Sequence, residues 1–341
     1  MSTGSGYGSS TFISNLINNN VATMATTLAF SNTYRTNREN PTLGIPANFF
    51  VANPNAAFVR VLGNNSMSNY NSLQLEFRRR FSRGLQFQAD YTFAKAITDA
   101  SGALGNSQSD LANFRTLRNT RLDRVRSPQD QTHRFVATAL YELPFGSGRH
   151  FLNTHGAVNQ VLGGWSLGSI VTWQTRPPWY VVSGRNTFNT TSAAGNKLGD
   201  PAQLVGISFA DFKNALGVFR TPAGVFFINP NLLNIQTNAA GQVISSQLKP
   251  GLLAAPAPGT FGNFPTNSLS GPRYFNLDLS IVKRWKVTER ATVELKSSMI
   301  NVLNRANFSF GNQTFDSTTF GLITSTSGNP RVINFQITGR W

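Results

Sequence analysis

The side chains best suited to metal or acid–base chemistry are three histidines, His133, His150 and His155. A zinc centre needs three or four N, O or S ligands brought to one point. His150 and His155 flank a turn-forming stretch with no carboxylate cluster beside them, so solvated turn histidines are expected there and not a metal site. The chain has no cysteine, which removes disulfide frameworks, thiolate metal sites and cysteine nucleophiles. Gly146-Ser147-Gly148 is not followed by the Gly-Lys-Ser/Thr of a phosphate loop. Acidic residues such as Asp99 and Asp110 lie in polar stretches with nothing to bring them together, and no nucleophile, base and acid can be assembled. No enzymatic activity, cofactor or metal is expected.

The remaining polar side chains worth weighing recur in alternation with apolar ones. Gln74, Glu76 and Arg78 alternate with Leu73, Leu75 and Phe77, and Gln86, Gln88 and Asp90 with Leu85, Phe87, Ala89 and Tyr91. Arg134, Thr138 and Glu142 oppose Phe135, Ala137, Ala139 and Tyr141, although Val136 and Leu140 interrupt the polar set. Trp165, Leu167, Val171 and Trp173 make a fourth apolar set. Asp278 lies between Leu277 and Leu279, Glu294 and Lys296 flank Leu295, and Gln336 and Arg340 oppose Phe335, Ile337 and Trp341. Period-two alternation means strands with one apolar and one polar face. Each strand is about as long as a tilted bilayer-crossing strand needs to be.

Arg or Lys facing lipid at the bilayer midplane costs about 2–4 kcal/mol, so in a membrane the polar parity must face inward. Gln74, Glu76, Arg78, Gln88, Asp90, Arg134, Glu142, Asp278, Glu294, Lys296, Gln336 and Arg340 are therefore candidate lumen-lining residues. Trp165, Trp173, Trp285, Tyr91, Tyr141 and Trp341 are candidate interface aromatics. Phe335, Ile337 and Trp341, on a strand that ends the chain with an aromatic residue, are the candidate assembly signal.

Composition points the same way. Of 341 residues only 13% are charged, while 40% are hydrophobic and 27 are Phe; a typical soluble domain is about a quarter charged. No apolar run approaches the roughly 20 residues of a transmembrane helix. The net charge of +16 could mark nucleic-acid binding, but no basic block carries a recognition motif. Arginine in loops, in a polar lumen and near lipid headgroups is the preferred reading.

Connection lengths add the topology. Short turns follow the first, third and fifth strands, and long polar segments (95–132, 176–272 and 303–329) follow the second, fourth and sixth. Sorting short turns to one side and long loops to the other is the asymmetry of outer-membrane barrels; it places the C-terminus on the periplasmic side. The expected fold is all-β, an antiparallel transmembrane β-barrel segment of about seven to eight strands of a larger barrel, with long extracellular loops. Residues 1–69 read as a loop-rich stretch with room for one strand in FFVANP or AFVRVLG, and residues 70–341 as the barrel segment.

Several segments resemble the C-terminal barrel of Oar-like TonB-dependent outer-membrane transporters of the carboxypeptidase-regulatory-like-domain-containing type. They are SNYNSLQLEFRRRF (68–81), DYTFAKAITDA (90–100), SPQDQTHRFVATALYELPFG (127–146), GWSLGSIVTWQTRPPW (164–179), FNLDLSIVKRWKVTE (275–289), NVLNRANF (301–308) and the terminal strand. They occur in family order over residues 45–341; no single piece is a catalytic signature. The chain departs from the family at Ser297-Ser298-Met299, where members usually carry Ala-Glu-Phe, and the implied effect is a lost lumen carboxylate. The resemblance implies uptake of an unidentified ligand across the bacterial outer membrane. Its implied partners are outer-membrane lipid, the barrel-assembly machinery and TonB acting through an N-terminal plug, with no nucleic acid. A signal peptide, the carboxypeptidase-regulatory-like domain and the plug are not legible in residues 1–69, so the chain is expected to be the last third of such a barrel. A passive porin or a surface adhesin on a small barrel is the alternative.

Overall fold

The structure, a computed structural model, describes residues 10–21, 23–24, 64, 66–99, 118–151, 153, 156–185, 187 and 200–341. Seven long strands form one antiparallel sheet: β1 (Ser68–Ser82), β2 (Leu85–Thr98), β3 (His133–Glu142), β4 (Trp165–Gln174), β5 (Tyr274–Lys286), β6 (Thr292–Ile300) and β7 (Val332–Arg340). They lie in sequence order, each hydrogen-bonded to the next, and the two-residue strand Val125–Arg126 adds to the end of β2. Among the described residues β1 pairs only with β2 and β7 only with β6, so the sheet is open and each outer strand keeps a free edge.

Local chemistry fixes the register. Arg83 and Gly84 both adopt positive φ, 51° and 81°, the combination that a two-residue hairpin turn of right-handed twist requires. A Cβ at Gly84 would stand 2.9 Å from the Glu142 carbonyl, so this turn needs glycine for space as well as for φ. The β1–β2 register shifts between Arg79 and Ser82. This bulge ends the strict alternation expected through Phe81: Ser82 is the residue opposite Leu85. The second connection of the short class is less simple than its length suggests, because α2 (Ala157–Leu162) folds within the β3–β4 turn.

Two regions differ from the sequence reading. Residues 1–69 were expected to be loop-rich, yet α1 spans Ser10–Ile17; the candidate strands FFVANP and AFVRVLG fall outside the described residues. The larger difference is the segment between β4 and β5. Its described part is a folded unit with its own core. α3 (Phe209–Asn214), capped by Ser208, which accepts from the Asp211 N–H, precedes the hairpin Leu216–Thr221/Gly224–Ile228. A second hairpin pairs Leu233–Thr237 with Val243–Leu248. Trp179, Phe212, Phe226, Phe264, Leu269 and Phe320 are among the buried residues of one cluster, and Phe308, Phe310, Phe315 and Leu322 from the β6–β7 connection pack against it. Phe212 and Phe264 meet edge to face at 5.3 Å. Trp179 stacks on Phe310 at 6.1 Å with planes 5° apart. Two of the long connections thus share one hydrophobic core.

That core is separate from the sheet, whose apolar parity stays largely unburied. Leu75 is 55% and Phe335 75% exposed. Truncating Phe226, which is fully buried, should therefore affect the loop unit alone. Phe226→Ala should destabilise it by about 3–5 kcal/mol. Limited proteolysis with mass spectrometry of the fragments should show faster cutting within 200–272 and unchanged protection of β2 to β4. Equal resistance of variant and parent would mean that these loops are not an independently packed unit.

Candidate functional site

Direct opposition across an antiparallel ladder puts two side chains on the same face, so the register shows which residues share a surface. Gln74 lies opposite Thr92, Glu76 opposite Asp90 and Arg78 opposite Gln88. Thr92 in turn faces Arg134, and Gln88 faces Thr138. Thr138 faces Ile170, which faces Asp278. Glu142 meets Ser166, which meets Val282, then Lys296 and Gln336. Arg284 faces Glu294, and Thr292 faces Arg340. All twelve polar candidates therefore lie on one face of the sheet. Charges on it are partly matched: Arg284 donates to Glu294 at 2.7 Å, and Arg149 in the β3–β4 turn donates to Glu142 at 2.6 Å. A hollow of about 460 Å³ lies over this face and is lined by Gln86, Thr138, Leu140, Ile170, Asp278 and Ser280 among others. Leu140 and Ile170 make its floor partly apolar.

The other face carries Tyr91, Phe135, Trp173 and Phe275 in one cross-strand row and Leu295 opposite Ile337 in another. Its regularly paired charges are Arg79, Lys95 and Lys283, all near strand ends, where a long side chain can reach past an apolar layer to water. Lys283 goes further. It is 1% exposed, lies over the Trp165 and Trp285 rings at 5.3 and 5.5 Å, and donates to the carbonyls of Val161 and Gly163 at the end of α2. Trp165 and Trp285 donate their indole N–H groups to Val161 and Gln160. The helix in the short turn thus binds three side chains of the apolar parity by its C-terminal carbonyls, which have no partner within the helix. At the opposite end Tyr91 hydrogen-bonds His133 at 2.8 Å, and His133 sits 5.2 Å from Phe93 and 6.0 Å from Trp173. Five of the six candidate interface aromatics lie on this parity; Tyr141, Trp165, Trp173 and Trp285 are near the ends of their strands and Tyr91 is mid-way along β2. The sixth, Trp341, follows β7 and is 98% exposed.

The two described histidines pack against aromatic rings. His133 belongs to the aromatic cluster, and His150 packs edge-on against Phe151. His155 and Asp110 lie outside the described residues. No group of three metal-ligating side chains occurs among the described residues.

The rim from which the long connections leave is held by buried acids and amides, of which sequence inspection named only Asp99 and Asp278, and neither for this role. Asp130 is 2% exposed; it accepts from the Ala96 N–H at 2.6 Å, from Arg126 and from Thr132. Asp99 accepts from the Met67 N–H at 2.6 Å. Asn307 pairs with both backbone groups of Phe275, each bond 2.9 Å long. Asn301, at φ 48°, accepts from the Arg305 N–H and donates to the carbonyls of Arg305 and Asn329. The Asp278 carboxylate accepts from the Asn301 N–H and from Asn276, so this lumen candidate is also part of the rim. Away from the sheet, burial raises the Asp316 carboxyl above its usual range, against the pull of Arg185 3.6 Å away.

A family model described as an outer membrane beta barrel domain matches residues 6–334. The chain belongs to this family. No curated protein matches it. A solved structure of P. aeruginosa FpvA bound to iron and a heterologous pyoverdine is similar at 14% identity and a TM-score of 0.30, over 80% of this chain and 19% of that one. The chain thus spans about a fifth of that structure's length. Membership of the barrel family places the two-faced sheet in the bacterial outer membrane, where the exposed Phe335 and Ile337, each 75% accessible, have a solvent that accepts them.

Removing the Asn307 amide should unfasten the rim. Asn307→Leu leaves the Phe275 N–H and C=O unpaired, at about 1–3 kcal/mol for each buried group. The folded band on an unheated gel should convert at a lower temperature in this variant. Asn276→Ala, which removes a single hydrogen bond to Asp278, should shift that temperature less. Equal shifts would refute the clasp.

Proposed function

We propose that the chain forms the membrane wall and ligand-facing loops of an Oar-like, TonB-dependent outer-membrane receptor that takes up a ligand. The polar parity lines the lumen, the folded connections lie outside the cell, and the C-terminus is periplasmic. The observation that carries the proposal is the pairing of a two-faced sheet with a packed unit on its long-connection end. Passive diffusion needs only an open channel. A hydrophobic core shared by two connections instead gives a rigid surface on which a ligand can be held. The ordered segment resemblance supports the TonB-dependent class, in which TonB would act through a plug N-terminal to the barrel. In this reading residues 70–341 are the barrel portion, contacting outer-membrane lipid and inserted by the barrel-assembly machinery, with Phe335, Ile337 and Trp341 as the signal for insertion.

Because the chain has no native cysteine, single replacements report on each face cleanly. Cysteine in place of Gln88 or Gln336 should react with a charged, membrane-impermeant thiol reagent several-fold faster than cysteine in place of Leu75 or Phe335. Equal rates on both parities would sink the lumen assignment.

Deleting Trp341 from the full-length protein should lower its amount in the outer membrane without changing transport per assembled molecule. Uptake by cells carrying the full-length protein should disappear when TonB is removed. Uptake that persists without TonB would favour a passive pore, and normal assembly of the deletion would remove the terminal residue from the signal.

A further inference from the structure

A second cavity, of about 1040 Å³, lies where the strand ends meet the loop unit. Its lining brings together Arg126, His133, Arg273 and Arg305 from around the sheet rim and Lys213 and Arg220 from α3 and the hairpin after it. No Asp or Glu lines it among the described residues. Arg126 is neutralised by Asp130 at 2.8 Å. Lys213, Arg220, Arg273 and Arg305 take part in no ion pair among the described residues. These four cations are exposed and share one lining, so an anion held among them would meet several positive charges at once and no competing carboxylate. Two are pre-oriented by aromatic rings: Arg220 lies over Phe308 at 5.2 Å and Arg305 over Phe275 at 5.4 Å. A guanidinium fixed by stacking keeps its N–H fork free for an oxyanion, and guanidinium binds phosphate and carboxylate in a bidentate manner.

We propose that this cavity is a binding site for a multiply charged oxyanion, a phosphate- or carboxylate-bearing small molecule held between the strand ends and the loop unit. The site rests on the receptor reading for its biological meaning but not for its chemistry. Its position also admits the phosphate headgroups of outer-leaflet lipid, which present the same oxyanions to the same guanidinium groups.

The test uses inorganic tripolyphosphate, titrated calorimetrically into the full-length protein in nonionic detergent micelles at fixed ionic strength. Binding is expected, and the double variant Lys213→Gln/Arg220→Gln should weaken it at least tenfold. Arg290→Gln, in the short turn at the other end of the sheet, should leave it unchanged. Repeating the titration in nanodiscs with and without diphosphoryl lipid A separates the sources. Affinity indifferent to the lipid supports the site with a soluble ligand, and competition by the lipid supports it with a headgroup ligand. Absence of tripolyphosphate binding, or a double variant that binds as tightly as the parent, overturns the site. TonB-dependent uptake in a protein that binds no tripolyphosphate would reject the ligand class and leave the receptor reading standing.

Discussion

In the hydrocarbon core no water is present to hydrogen-bond the backbone, and each unpaired N–H or C=O costs several kcal/mol. The strand ladder is the response to that constraint, and most of the described structure follows from it. A continuous ladder from β1 to β7 fixes the register, and the register divides side chains into two faces with no further choice. The same constraint explains why the rim is built from Asp99, Asp130, Asn301 and Asn307. Where strands give way to loops the ladder stops, and a buried carboxylate or amide takes the place of the missing backbone partner.

This gives the recurring sequence segments a physical meaning. In SPQDQTHRF the buried residue is Asp130, which ties the start of β3 to β2 through the Ala96 N–H. In NVLNRANF the asparagines at 301, 304 and 307 each bond backbone groups elsewhere in the chain: Asn301 holds Arg305 and Asn329, Asn304 receives the Arg331 N–H, and Asn307 holds Phe275. Two of these, Asn301 and Asn304, sit at positive φ, 48° in each case, a conformation that asparagine tolerates better than most residues. The segments are fasteners for the mouth of the sheet, and they specify no particular ligand.

The sheet was legible because period two is a strong signal wherever one face meets lipid and the other water. Leu75, Phe87, Phe135 and Leu295 announce their strands, and the ladders pair them as alternation requires. The loop unit was not legible, because its core carries no period. Trp179, Phe226, Phe264 and Phe320 are separated by long stretches, and the strands beside them are as short as two residues. Such a core is assembled by contacts between distant positions, which a scan of local pattern does not register. Lys283 was missed for a related reason: on parity alone it is a charge on the lipid face, and only α2, brought in by a turn, supplies the carbonyls that hold it.

The two halves of the molecule therefore face different selective demands. Any apolar side chain of suitable size serves on the lipid face, since lipid is an undemanding partner and the ladder holds the strand. The loop unit has no such latitude: its Phe-rich core must interdigitate to hold Lys213 and Arg220 at the cavity that Arg273 and Arg305 also line. A surface that only needed to be soluble could have spread those cations apart. Holding them at one cavity, with Arg220 over Phe308 and Arg305 over Phe275, is what the proposed anion site requires.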